Sequence, residues 1–117
     1  MFGRRGLKIA TCPLVENGIV RVLNAPRYGG AGPLGFAPVR DKLVQICAAH
    51  DHAFWPDDVS LRDAGTFDFN FLLGHNQLTD AYLLALAVKH GGSLATFDQA
   101  VPRAAVPGAK QQHLTVL

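Results

Sequence analysis

The chain has 117 residues, of which 49% are hydrophobic and 17% charged, and its formal net charge is +2. This length suits a single domain with its own core, and the composition excludes an intrinsically disordered chain. The sequence contains no run of about 20 apolar residues that would span a bilayer, no signal-peptide pattern, and too few cysteines for a disulfide scaffold. We therefore expect a cytoplasmic protein with free thiols and no membrane partner.

The first elements predicted are a strand and a helix. Leu7–Cys12 reads as a short buried strand, which Pro13 ends. The apolar residues of Leu14–Leu23 follow a helical spacing, and proline is tolerated in a first helical turn. Gly18 lies in the middle of this helix, where glycine costs about 1 kcal/mol relative to alanine, so we expect it to serve close packing.

A segment rich in proline and glycine follows, from Asn24 to Pro38. Its composition predicts a surface loop. The alternative is a flap beside the functional site, with Arg27 and Tyr28 placed to touch a nucleic acid. A second helix is predicted over Val39–His50 from the spacing of its apolar residues.

The middle of the chain predicts one more strand and an apolar cluster. The strand lies at Ala53–Trp55 or at Val59–Leu61, on either side of Pro56. The phenylalanines and leucines of residues 67–73 form the cluster. The HxH pair, His50 and His52, lacks the spacing of a zinc site, so we expect these histidines at the surface or at caps.

The last part of the chain predicts a helix followed by two strands. The helix spans Leu78–His90, with Thr79 as its cap and glycines at its end. Ser93–Phe97 reads as a buried strand and His113–Leu117 as the last strand. The whole order is an α/β pattern, and we expect one domain over residues 1–117.

Three carboxylates stand at the edges of these elements. Asp98 directly follows a predicted strand, and Glu16 and Asp80 lie in the first turns of two helices. In a parallel sheet these positions meet at one edge of the sheet. A bound Mg²⁺ or Mn²⁺ ion would neutralise the repulsion between the three carboxylates there. Taken singly, each acid also has an ordinary explanation: Asp80 complements a helix dipole, Asp98 opens a turn and Glu16 is solvated.

Four blocks of the sequence, TCPLVENGIVRVL, FWPDD, QLTDAYLLALAVKHGG and TFDQAV, resemble the PIN-domain nucleases, and most closely the VapC-type toxins of bacterial toxin–antitoxin pairs. The resemblance implies a three-layer α/β fold with a mostly parallel central sheet. It also implies Mg²⁺-dependent endonucleolytic cleavage of RNA, restrained by an antitoxin protein that occupies the site.

The resemblance assigns the site residues as well. Glu16, Asp80 and Asp98 match the second, third and fourth metal-binding acids of the family, and Thr79 and Thr96 are expected to tune two of them by hydrogen bonding. The family's first acid follows an N-terminal strand in a motif such as LLDVNVL, which this sequence does not contain. We therefore expect a βα unit of about thirty residues to be missing, with Met1–Gly6 as the tail of its last helix.

Three further expectations concern partners and alternatives. Arg21, Arg27 and Arg40 are candidate RNA contacts, although for any one of them an ordinary solvated charge is the preferred explanation. Strand edges left open by the missing unit favour a homodimer or a higher oligomer. The alternative functions are a catalytically inactive PIN-like module that binds an antitoxin or RNA, and an ordinary α/β interaction domain in which the acids are unrelated.

Overall fold

The chain divides into two units, residues 1–57 and residues 58–117. The computed structural model describes residues 8–25 and 34–117. The predicted flap with Arg27 and Tyr28, and the predicted helix tail Met1–Gly6, lie outside the described residues. No helix in the described ranges is long and apolar enough to cross a membrane.

The first unit has two parallel strands with two helices between them along the chain. The elements are β1 (Lys8–Thr11), α1 (Pro13–Leu23), α2 (Phe36–Ala49) and β2 (Asp51–Phe54). β1 and β2 pair in register from Lys8 opposite Asp51 to Thr11 opposite Phe54. The N–H of Trp55 donates to the carbonyl oxygen of Thr11 at 2.8 Å, which continues the pairing past the end of β2.

The structure confirms a first strand and the helix beginning at Pro13, and it corrects four details of this unit. The first strand is not buried along its length, because only Thr11 among the residues of β1 is buried. Among the residues that the structure describes, a Cβ added to Gly18 would meet no atom within 4 Å beyond its chain neighbours and its own helix backbone, so the predicted close packing there is wrong. α2 begins at Phe36 instead of Val39. Pro38 does not prevent this earlier start, because the N–H groups of a first helical turn have no hydrogen-bond partner within the helix and proline is tolerated there. The second strand begins at Asp51, and Val59–Leu61 forms no strand.

The second unit is built around one helix and a pair of parallel strands. The elements are α3 (Leu78–His90), β3 (Leu94–Thr96) and β4 (Leu114–Val116), with short 3₁₀ helices at Phe69–Phe71, His75–Gln77, Arg103–Ala105 and Gln111–His113. β3 and β4 pair from Leu94 opposite Leu114 onward. α3 ends where Gly91 takes the left-handed conformation (φ +71°), as the glycines after the helix predict.

α3 supplies half of the core of the second unit. The core consists of buried apolar side chains from α3 and from the loops around it: Phe67, Ala81, Leu84, Ala85, Val101 and Val106. Leu84 is completely buried. Burial of apolar surface is the main favourable term in folding, so this helix holds the unit together.

The apolar cluster predicted at residues 67–73 is only partly buried, because Phe67 belongs to the core while Leu73 is 88% exposed. Two other predictions for the second unit are wrong in detail. The strand predicted at Ser93–Phe97 is shorter and not buried, and Phe97 is 83% exposed. The N-cap of α3 is Gln77, so Thr79 stands inside the helix and does not cap it.

The α/β class and the parallel strands are confirmed. The four described strands pair as two two-stranded sheets, β1 with β2 and β3 with β4. The single central sheet, its three layers, the missing N-terminal βα unit and the single domain over residues 1–117 stay predictions.

Candidate active site

Two of the candidate acids belong to the second unit, one at the start of α3 and one just after β3. Asp80 is half-buried in the first turn of α3, and Asp98 is exposed. The N–H of Asp98 donates to the Thr96 hydroxyl at 3.0 Å, and an Asp98 carboxylate oxygen accepts from the N–H of Ala100 at 2.8 Å. The turn after β3 therefore fixes the Asp98 carboxylate, and Thr96 acts on the backbone of this turn.

The pKa of Asp80 is raised above its usual value. Partial burial is the larger cause, and the negative charge of Asp98 is the second. Both causes penalise the ionised carboxylate, so the folded chain loses stability as the pH rises and Asp80 ionises. A cation bound between these acids would remove this penalty, because opposite charge favours the ionised form.

Glu16 lies in the first unit, in the first turn of α1, and has a hydrogen-bonding partner that the sequence did not indicate. The Thr11 hydroxyl donates to a Glu16 carboxylate oxygen at 2.8 Å. The same hydroxyl lies 2.7 Å from Nε2 of His52. Thr11 is a buried polar residue, with 8% of its surface exposed. His52 was expected at the surface or at a cap; instead it is half-buried on β2 and bonded to Thr11.

Known proteins resemble this chain over most of its length. Ribonuclease VapC44 of Mycobacterium tuberculosis is 44% identical over 108 residues, which cover 92% of this chain and 75% of that protein. Ribonucleases VapC38 and VapC39 of the same organism are 45% identical over 92 residues and 33% identical over 99 residues, covering 62% and 70% of those proteins. The chain belongs to the family of VapC-type PIN-domain toxins. No family model matches it.

The remaining residues predicted from the VapC resemblance are placed as follows. Thr79 is exposed at the second position of α3. Arg21 is exposed in the last turn of α1, and Arg40 is exposed on α2, with its guanidinium 3.7 Å from Asp41. Arg27 lies outside the described residues.

Of the three predicted VapC acids, Asp80 and Asp98 both lie in the second unit, and the charge of Asp98 contributes to the raised pKa of Asp80. Within residues 8–25 and 34–117, no three histidine, cysteine, aspartate or glutamate side chains are grouped so that they would hold a metal ion. Glu16 as a third ligand stays a prediction. The Thr11–Glu16 contact was missed because a threonine that ends a strand gives no sequence signal of its own. His52, the second residue of β2, is a polar residue directly before a predicted strand and was the sequence signal that could have indicated a hydrogen-bonding partner there.

Proposed function

We propose that this VapC-family chain is a divalent-metal-dependent endoribonuclease of a toxin–antitoxin system, using Mg²⁺ or Mn²⁺. The observation that carries the proposal is the pair of carboxylates formed by Asp80 and Asp98, in which the second charge raises the pKa of the first. Mg²⁺ is commonly bound through one or two carboxylates together with water and substrate phosphate. The donor set of this pair fits that requirement.

Asp80 and Asp98 would hold the cation, and Glu16 is a proposed further ligand, by resemblance to the family. The bound cation would supply an activated water and stabilise the charge that develops on the phosphoryl group. The contribution of the chain itself is to keep the carboxylates in place. The Thr96 hydroxyl and the Ala100 amide fix the turn that carries Asp98, and α3 fixes Asp80 through its buried face.

The proposed partners are RNA and a cognate antitoxin protein. The names of the relatives support RNA as the substrate class, since each is called a ribonuclease. Exposed Arg21 and Arg40 are proposed phosphate contacts, and Arg27 is a third candidate. Support from Thr79, a homodimer or higher oligomer, and a cytoplasmic location stay predictions.

The test is cleavage of structured RNA by the purified chain with Mg²⁺ or Mn²⁺, beside an EDTA control. We expect cleavage that requires the metal. Asp98→Asn should lower the rate by more than about 100-fold, because removing a ligand costs at least as much as removing a residue that supports one. Asp41→Asn is the matched control: it makes the same change of charge at an exposed position of α2 and should cleave at the original rate.

Two results would count against the proposed activity. If the folded chain cleaves no RNA with metal present, or if Asp98→Asn cleaves as fast as Asp41→Asn, the proposal is overturned. Binding of RNA or of an antitoxin without cleavage would then support the inactive binding module.

A further inference from the structure

Three polar side chains of the first unit form one hydrogen-bonded row, Glu16, Thr11 and His52. Their proximity follows from the strand pairing. His52 is opposite Ile9, and Thr11 lies two residues beyond Ile9 on β1, so the side chains of Thr11 and His52 are on the same face of the sheet. Helical side chains tilt toward the N-terminus of their helix, which directs Glu16 from the start of α1 back toward Thr11.

The direction of the two hydrogen bonds follows from the number of protons. An ionised carboxylate only accepts, so the single proton of the Thr11 hydroxyl is donated to Glu16 at 2.8 Å. The Thr11 oxygen is then free to accept, and Nε2 of His52, at 2.7 Å, must donate to it. His52 thus carries a proton on Nε2, and its donation holds the hydroxyl pointed at the carboxylate.

The position of Thr11 is itself well determined. Its backbone carbonyl accepts from the N–H of Trp55 at 2.8 Å, and its residue surface is almost completely buried. A donor fixed in this way restricts the rotamers of the Glu16 side chain. Donors of this kind beside a metal-binding carboxylate orient the ligand, and their loss lowers metal affinity or activity by about 10- to 100-fold.

We propose that Thr11 is a positioning residue that holds the Glu16 carboxylate for the divalent cation, and that His52 orients the Thr11 hydroxyl. The inference rests on the proposed function, because it takes Glu16 as a ligand of the catalytic metal. It adds two residues, from β1 and β2, to the residues predicted from the sequence.

The test compares two substitutions that differ by one hydroxyl group. Thr11→Val keeps the shape of the side chain and removes the hydroxyl, whereas Thr11→Ser keeps the hydroxyl. We expect Thr11→Val to weaken the affinity for Mn²⁺, measured by calorimetry, by about 10- to 100-fold, and to slow RNA cleavage. Thr11→Ser should restore both values to near those of the original chain. Circular dichroism verifies that both variants are folded.

A second pair of variants keeps the proposal testable if Thr11→Val does not fold. His52→Gln retains a side-chain N–H that can donate to Thr11, and His52→Phe removes it. We expect Mn²⁺ to bind more weakly to His52→Phe than to His52→Gln. Combining Thr11→Val with Glu16→Gln should cause little loss beyond that of Glu16→Gln alone, since the contact is then already broken.

The outcomes separate this inference from the proposed function. If the original chain neither binds Mn²⁺ nor cleaves RNA, the proposed function fails, and this inference fails with it. If the original chain does both, but Thr11→Val binds Mn²⁺ equally well, only the role of Thr11 is overturned. Equal losses in Thr11→Val and Thr11→Ser would also overturn it, because the hydroxyl would then not be what matters.

Discussion

α1 and α3 both carry a candidate acid in the first turn, Glu16 and Asp80, yet they are anchored differently. α3 has five buried residues, whereas α1 has none among its residues. The core of the second unit thus fixes the backbone beneath Asp80. Glu16 stands on a helix with weaker anchoring and is held through a side-chain hydrogen bond from Thr11. An acid can thus be positioned either by the packing of its helix, as for Asp80, or by a side-chain hydrogen-bond donor, as for Glu16.

The packing of the first unit is consistent with this difference. An apolar cavity of about 550 Å³ lies between its elements, and its lining includes side chains of α1 and α2: Val15, Ile19, Leu23, Leu43 and Ile46. Apolar surface that faces a cavity gains fewer contacts than surface in a close-packed core. We therefore expect local opening to cost less free energy around α1 than around α3.

The largest predicted effect comes from truncating one apolar side chain on each helix, the buried Leu84 of α3 and the exposed Val22 of α1. Leu84→Ala should lower the free energy of unfolding by about 2–5 kcal/mol, because it leaves a cavity in the core. Val22→Ala, at a position 57% exposed, should change it by no more than about 0.5 kcal/mol. Urea denaturation of the two variants measures both values, and equal losses would break the comparison.

Two glycine substitutions should have smaller effects of opposite sign. Gly91→Ala forces a left-handed backbone at φ +71° on a residue with a Cβ and should cost about 1–2 kcal/mol. Gly18→Ala adds a methyl group in open space within α1 and should stabilise the chain by about 0.5–1 kcal/mol. Thermal melts of both variants test the signs; destabilisation by Gly18→Ala would show that α1 is packed more closely there than the structure indicates.

The smallest predicted effect concerns the ionic contacts at the end of α3. Asp58 lies 3.0 Å from Nε2 of His90 and 3.2 Å from Nζ of Lys89. The hydrogen bond with His90, followed by the contact with Lys89, lowers the pKa of Asp58 below its usual value of 3.8. A lowered pKa means that this stabilisation is present above pH 3.8 and is lost as the pH falls through the folded-state value.

Melting temperatures of the original chain and of Asp58→Asn, measured between about pH 6 and pH 3, test this sign. We expect a small advantage of the original chain at the higher pH, and the advantage should shrink toward the acid end. The contacts are exposed to solvent, so the effect should be a minor fraction of that of Leu84→Ala. An advantage that grows as the pH falls would contradict the assignment.

The sequence predicted best where local chemistry decides the structure. Pro13 and Gly91 mark a helix start and a helix end, and both boundaries were found. Burial was predicted less well, because an apolar run such as residues 67–73 does not reveal which side chains find partners. Phe67 does, and Leu73 does not. The acids themselves were recognisable, but the Thr11–His52 contact depends on the register of β1 and β2, which no local pattern encodes.

We propose that the carboxylates of Asp80 and Asp98 bind a divalent cation. The melting temperature of the chain as Mn²⁺ is added at neutral pH tests this directly. A cation at about 100 times its dissociation constant should stabilise the folded chain by about 2.7 kcal/mol. Without metal, Asp98→Asn should melt higher than the original chain, because it removes a charge that raises the pKa of Asp80. With Mn²⁺ the original chain and Asp41→Asn should gain stability and Asp98→Asn should not. An equal gain in all three, or a gain in none, would contradict the account.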